Sequence, residues 1–177
     1  MATKLSNASL LLAPDYRYFV VRDVGSDAGI GAADALATPG APIAVSTDYE
    51  LLIRVAQPEL KVRAEAEVWD SDPGSEPGWH AEPIHTVECP TGHVVIGDFT
   101  GIRVIDFPLP TGAGVYAMRV LSRGRDDAIE KLRELVVSDV AELPTTEMLR
   151  VFDEFAGIEQ YKVQMWRTGD AEDDDLD

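Results

Sequence analysis

The chain has 177 residues, 45 % of them apolar, a net charge of −17 and a single cysteine, Cys89. That length suits one domain with a sizeable core, and a lone cysteine excludes an intramolecular disulfide, which fits a reducing compartment. The excess of acid argues against direct nucleic-acid binding, which needs Lys and Arg against phosphates. It leaves two readings, a basic protein partner steered in by charge or an acidic surface that only keeps the chain soluble.

The opening stretch, MATKLSNASLLLAPDYR, carries one apolar block, Leu10–Ala13. It is shorter than the roughly 7–15 residues of a secretory h-region. No run approaches the roughly 18 apolar residues of a membrane span, so a cytoplasmic protein without membrane attachment is expected. Leu5–Leu12 reads as a first strand, stopped by Ala13-Pro14-Asp15, and Tyr16–Asp23 as a second. The second is apolar on both faces in mid-strand, which predicts an interior position. Gly25–Gly40 is a long connection in which Ala28–Ala37 has helical spacing at Ile30, Ala33 and Leu36. Its glycines, Gly25, Gly29 and Gly31, lack the spacing and the Lys-Ser/Thr of a phosphate loop.

Pro42–Ser46 and Tyr49–Ala56 are the next strands, with Tyr49, Leu51, Ile53 and Val55 on one face. Leu60–Trp69 alternates most cleanly. Leu60, Val62, Ala64, Ala66 and Val68 point one way, and Lys61, Arg63, Glu65 and Glu67 point the other, which predicts a strand with one solvated face. Asp70–Gly78 is a polar turn, and Ala81–Cys89 a strand that Pro90-Thr91-Gly92 ends. The stretch His93–Arg123 holds three strand-like runs, Val94–Asp98, Ile102–Phe107 and Val115–Leu121, read as the middle of one antiparallel sheet.

Asp127–Val140 is helical, with a stripe of Ile129, Leu132, Leu135 and Val136 and a capping-box variant at Asp127 and Glu130. Pro144 opens a second helix with Met148, Val151, Phe152 and Phe155 on one face, a cap at Thr145 or Thr146, and Gly157 past its end. Ile158–Arg167 is a last strand. The expected fold is mainly β: an antiparallel sandwich, jelly-roll or immunoglobulin-like, over residues 1–169, with residues 124–157 as a two-helix insertion before the last strand. Residues 170–177 hold six acids and no base, the composition of a disordered tail.

His80, His85, Cys89 and His93 fall within fourteen residues and carry good zinc donors. If Pro90-Thr91-Gly92 made a tight hairpin, Cys89 and His93 would face each other across it. Yet His85 and Cys89 lie about four strand rises apart, roughly 13 Å, and no close ligand pair is present, so no metal or other cofactor is expected. Asp70, Asp72 and Glu76 imitate part of a calcium loop but lack its further ligands and sixth-position glycine. No GxSxG elbow marks a nucleophile, so no catalytic residue is assigned. Trp79 beside Asp70, Asp72 and Glu76 is a candidate anchor for a protein partner, against the alternative of a Trp folded back over the sandwich edge.

The segments LSNASLLLAPDYRYFVVRD, APIAVSTDYELLIRVA and IDFPLPTGAGVYAMRV resemble, in order, the bacterial competence protein J family, and IEQYKVQMW resembles its closing strand. The family's Leu-Pro-x-Gly signature stands here as Leu109-Pro110-Thr111-Gly112, with Ala113-Gly114-Val115 inserted before Tyr116. Gly25–Gly40, without a Trp-bearing helical start, and the helical segment Gly124–Gly157 depart from that pattern. The resemblance implies a small β protein that binds and restrains a nuclease without catalysis of its own.

Three function classes follow. The first is an acidic, non-enzymatic binding protein of the inhibitor or immunity type, engaging a basic protein such as a nuclease. The second is an assembly subunit that self-associates through strand edges and its helices. The third is a metal- or cysteine-dependent hydrolase drawing on His80, His85, Cys89 and His93. The tail has only Ala171 and Leu176 as apolar residues and can bury little. Truncation after Gly169 should therefore leave the melting temperature within about 2 °C of the full chain by calorimetry; a larger drop would show that the tail packs.

Overall fold

A computed structural model describes residues 1–14, 16–26, 29–37, 42–98 and 103–171, apart from the side chains of residues 103, 104, 139 and 141. The expected disordered tail from residue 172 onward lies outside the described residues. So do Asp15, the predicted helix start at Ala28 and the predicted strand start at Ile102.

The strands are β1 (Lys4–Leu12), β2 (Tyr18–Asp23), β3 (Ala44–Ser46), β4 (Glu50–Arg54), β5 (Val62–Trp69), β6 (His80–Cys89), β7 (His93–Asp98), β8 (Arg103–Pro108), β9 (Gly114–Arg123) and β10 (Gln160–Gly169). A short helix, α1 (Ala32–Leu36), follows β2. Helices α2 (Arg125–Val137) and α3 (Thr145–Glu154), linked by a 3-10 turn at Asp139–Glu142, precede β10. Among the described residues they make a sandwich of two five-stranded sheets, ordered β1-β5-β10-β9-β6 and β3-β4-β2-β7-β8. The β-sandwich with helices before its last strand is the fold read from the sequence. One pair departs from an all-antiparallel arrangement: β10 runs parallel to β5, with Tyr161 opposite Ala64 and Trp166 opposite Trp69.

The core forms where the alternation predicts it. Leu60, Val62, Ala64, Ala66 and Val68 are at most 1 % exposed. Val62 to Val68 meet Leu51, Ile53 and Val55 of the facing sheet and Tyr161, Val163 and Met165 of β10. The second sheet has a smaller apolar cluster on its outer face, where Ala32 and Leu36 of α1 cover Val20 and Leu52. That cover explains why β2, between β4 and β7, is buried on both faces.

The stretch His93–Arg123 does not lie in one sheet: β7 and β8 pair in the second, and β9 belongs to the first. Pro90-Thr91-Gly92 is likewise no hairpin, because β6 and β7 lie in different sheets. The two crossings, β6 to β7 and β8 to β9, pack on each other. Leu109 donates its N–H to the Gly92 carbonyl at 2.8 Å, and a Cβ on Gly92 would sit 2.6 Å from the Ala113 nitrogen. The Tyr116 hydroxyl lies 2.6 Å from that of Thr111 and donates to the Gly112 carbonyl at 2.5 Å. The Leu-Pro-Thr-Gly…Tyr signature is thus a fold element: Leu109 plugs the core and fully buried Tyr116 locks the turn.

The helical stripes bury less than their spacing suggests. In α2 only Ala128 and Leu135 are buried, whereas Val136 is 61 % exposed, and α3 has no fully buried residue. The capping box at Asp127 and Glu130 is absent, because α2 begins two residues earlier at Arg125 with Gly124 as an αL N-cap. Neither Thr145 nor Thr146 caps α3, whose N-cap is Pro144. Gly124 is forced by close approach: at φ +70 a Cβ would meet the Ile158 carbonyl oxygen at 2.1 Å. Gly124→Ala should cost roughly 2–3 kcal/mol in denaturant melts, from backbone strain and clash together. Gly74→Ala, at φ +78 with open space around it, should cost about 1 kcal/mol. Equal losses would contradict the close packing of Gly124 on Ile158.

A candidate partner-binding surface

The predicted site residues fall in the loop between β5 and β6, which lies across the outer face of the first sheet. Three of the four are held by other parts of the chain. The Asp70 carboxylate accepts the Thr3 N–H at 2.8 Å and the Ser71 hydroxyl at 2.9 Å. Asp72 takes both terminal nitrogens of Arg119, at 2.7 and 2.9 Å, and the Gly74 N–H at 2.8 Å. Glu76 accepts from the Lys162 ammonium at 2.6 Å. Trp79 is half-buried, with the Arg123 guanidinium 4.3 Å and the Lys162 ammonium 4.9 Å from its ring centroid. These are separations at which a cation is drawn to an indole face. The indole is folded back over the sheet, and Asp72 and Glu76 are ion-paired from beneath.

The residues that hold this loop come from β9 and β10. Arg119, Arg123 and Lys162 point outward where Met118, Val120, Tyr161 and Val163 point inward, as strand alternation requires. Arg119 also lies 5.2 Å from the ring centroid of Trp166. Beneath them Glu67 is only 1 % exposed. This corrects the solvated face expected for Leu60–Trp69. Lys61 and Arg63 are exposed and Glu65 half-exposed, but Glu67 lies under the cover of the loop and Trp69.

Burial alone would raise the Glu67 carboxyl. The hydrogen bond and charge of Lys4, the Lys162 ammonium at 3.5 Å and the Trp69 indole N–H at 3.0 Å outweigh it and hold the carboxyl below its ordinary value. Asp72 is held low chiefly by the Arg119 hydrogen bonds. Lys162 goes the other way: burial opposes its charge, yet Glu76 and Glu67 together raise it.

The donor residues His80, His85, Cys89 and His93 do not converge. His80 pairs with Glu82 at 3.1 Å, His85 bonds Ser46 at 3.1 Å, and His93 lies 4.0 Å from Asp106. Cys89 is fully buried, and burial, with the charges of Asp23 and Glu88, pushes its thiol up to about 12. Such a thiol is a packing group, since thiolate character is what makes cysteine a nucleophile or ligand. Among the described residues no group of three or more His, Cys, Asp or Glu side chains is placed to hold a metal ion, and no helix is long and apolar enough to cross a membrane.

The molecule is therefore a two-sheet β-sandwich with a polar loop clamped on one outer face. The sequence matches no protein-family model and no curated protein. Two solved structures share the architecture. One is described as ComJ, inhibitor of the DNA degrading activity of NucA, from Bacillus subtilis. It aligns with a TM-score of 0.52 and 12 % identity over 95 % of this chain and 99 % of its own. The other, described as Crocagin biosynthetic gene J, aligns with a TM-score of 0.54 and 15 % identity over 92 % and 97 %. The likeness to ComJ agrees with the resemblance carried by the strand segments and the Leu109–Gly112 signature.

Removing the Glu67 charge should destabilise the fold in a pH-dependent way. A carboxyl held low in the folded state stabilises fully above the unfolded value of about 4.3 and loses that contribution as pH falls through the folded one. Glu67→Gln should cost roughly 1–3 kcal/mol at pH 7. The gap between the two melting temperatures should narrow as pH falls below about 4; a gap as wide at pH 3 as at pH 7 would contradict the assignment.

Proposed function

We propose that this chain is a non-enzymatic binding protein that engages and restrains a protein partner, a basic nuclease being the class best supported. The observation that carries the reading is the fold, shared over nearly the full length of both chains with ComJ, a protein described as an inhibitor of a DNA-degrading activity. A buried, protonated Cys89 fits that reading better than a cysteine-dependent hydrolase. The net charge of −17 favours a basic partner over nucleic acid.

The loop carrying Asp70, Asp72, Glu76 and Trp79 is the partner-facing surface in this proposal. Asp72 and Glu76 are already fixed by Arg119 and Lys162, and Asp70 by the Thr3 N–H, so the loop would meet a partner without a large ordering cost. Ser71, Ser75 and Pro77 face solvent along it, and the part of the half-buried Trp79 ring left uncovered by Arg123 and Lys162 supplies the aromatic contact.

Native-lysate capture followed by an activity assay tests this. The expected result is one basic nuclease recovered in stoichiometric amount, whose DNA cleavage falls as the chain is titrated in. Recovery of self-copies alone, or of a partner whose activity is unchanged, contradicts it. With that partner, the on-rate should fall steeply between 0.1 M and 1 M salt, as the Debye length shrinks from about 10 Å to about 3 Å. Trp79→Ala should mainly speed dissociation. An on-rate indifferent to salt would reduce the acidity to a solubility feature.

A further inference from the structure

A second surface lies away from the clamped loop, at the end of the sandwich where α2 passes the β4–β5 connection. Ala56 and Pro58 form one wall of an open groove of about 320 Å³, and Ile129, Leu132 and Val136 of α2 form the other. Ile129 and Leu132 are half-buried, and the stripe opens to solvent at its C-terminal end. Val136 is 61 % and the adjoining Val137 80 % exposed. Tyr16, next in sequence to the groove residue Arg17, is 77 % exposed. Val136 and Val137 are contiguous and exposed along the groove, and exposed apolar side chains so placed mark an interaction surface more often than a solvated one.

The rim says what fits. Two guanidinium residues, Arg17 and Arg133, border the groove, and among the described residues no carboxylate lines it. The chain as a whole carries 32 acids against 15 bases, so this local balance runs against the rest of the molecule. Arg17 is also held in place. Its guanidinium donates to the Ala56 carbonyl, and its own carbonyl accepts the Val55 N–H at 2.9 Å. Tyr16 and Arg17 both adopt left-handed backbone, at φ 48 and 67, which non-glycine residues rarely take and which the surrounding structure must maintain. The strained turn sets the arginine at the mouth of the groove.

We propose that this groove docks a segment of a partner protein that presents an aliphatic or aromatic side chain flanked by carboxylates. The apolar walls take the side chain, and Arg17 and Arg133 take the carboxylates, fixing direction and register. A free apolar ligand fits less well. Small-molecule sites enclose most of their ligand, whereas this groove is open along its length. The inference goes beyond the inhibitor reading and stands on a different surface, so either can fail without the other.

The test uses the full chain and a fluorescein-labelled nine-residue peptide, with two leucines and one phenylalanine set among Asp and Glu. A second copy of the peptide carries the corresponding amides. Fluorescence anisotropy should saturate with the acidic peptide and be at least fivefold weaker with the amide copy. Arg133→Glu should weaken the acidic peptide at least fivefold and Val136→Asp at least tenfold. Both variants should keep the melting temperature and circular dichroism of the parent, since both side chains are exposed. Equal affinity for the two peptides, or unchanged binding in both variants, overturns the proposal. A concentration-dependent dimer in sedimentation that Val136→Asp dissolves also overturns it, because a second copy would then be the occupant.

Discussion

The structure depends on the position of its final strand. β10 enters the first sheet between β5 and β9, and without it β1-β5 and β9-β6 share no hydrogen-bonded neighbour. Its start, Gln160, pairs with Arg123 at the end of β9. The helical segment is therefore an excursion whose two ends meet again where Gly124 packs on the Ile158 carbonyl. Closing even a long excursion costs little more than closing a short one. That geometry explains why α2 and α3 bury so little: they are attached at the end of the sandwich and do not cover a sheet.

A buried polar node secures the same junction. Glu159, 1 % exposed, accepts the Ala56 N–H at 2.6 Å and the Gln57 side-chain amide at 3.1 Å, together with the Tyr161 hydroxyl. Arg125 reaches the Arg54 carbonyl at 2.8 Å and the Tyr161 hydroxyl. The first residue of α2, the β4–β5 connection and the entry to β10 are thus tied to one carboxylate. A buried charge is tolerable only when its lone pairs are met in this way. Farther along, Lys162, Gln164 and Trp166 turn the outer face of β10 toward the loop from Asp70 to Gly78. The buried Glu67–Lys162 pair needs that loop for cover, and the loop needs Lys162, Arg119 and Arg123 for its position. Strand and loop stabilise each other.

Most of the fold was legible in the sequence because strand period is a local signal. Leu60–Val68 alternates, and the structure buries each of its five apolar positions. Which sheet a strand joins is not local. Nothing in His93–Arg123 tells that the chain crosses between layers after Cys89 and again after Pro108, nor that β10 would pair parallel to a strand nearly a hundred residues earlier. Helix spacing identified both helices but overstated their burial, since a stripe such as Ile129, Leu132 and Val136 reads the same whether it faces a core or a groove. The candidate site was half legible: composition singled out Asp70, Asp72, Glu76 and Trp79. Their partners Arg119, Arg123 and Lys162 come from strands that only the tertiary register brings beneath the loop. Glu67 was misread for the same reason.

A β-sandwich with its last strand at the centre of one sheet gives the protein a stiff platform, with a clamped polar loop on one face and an apolar groove at one end. The platform claim can be read directly by hydrogen–deuterium exchange on the native chain. The amides of Tyr161–Trp166 should exchange only through global unfolding, at the same free energy as those of β5 and β9. A C-terminal strand that exchanges early while β5 and β9 stay protected would show that the sheet stands without it, and would contradict the account.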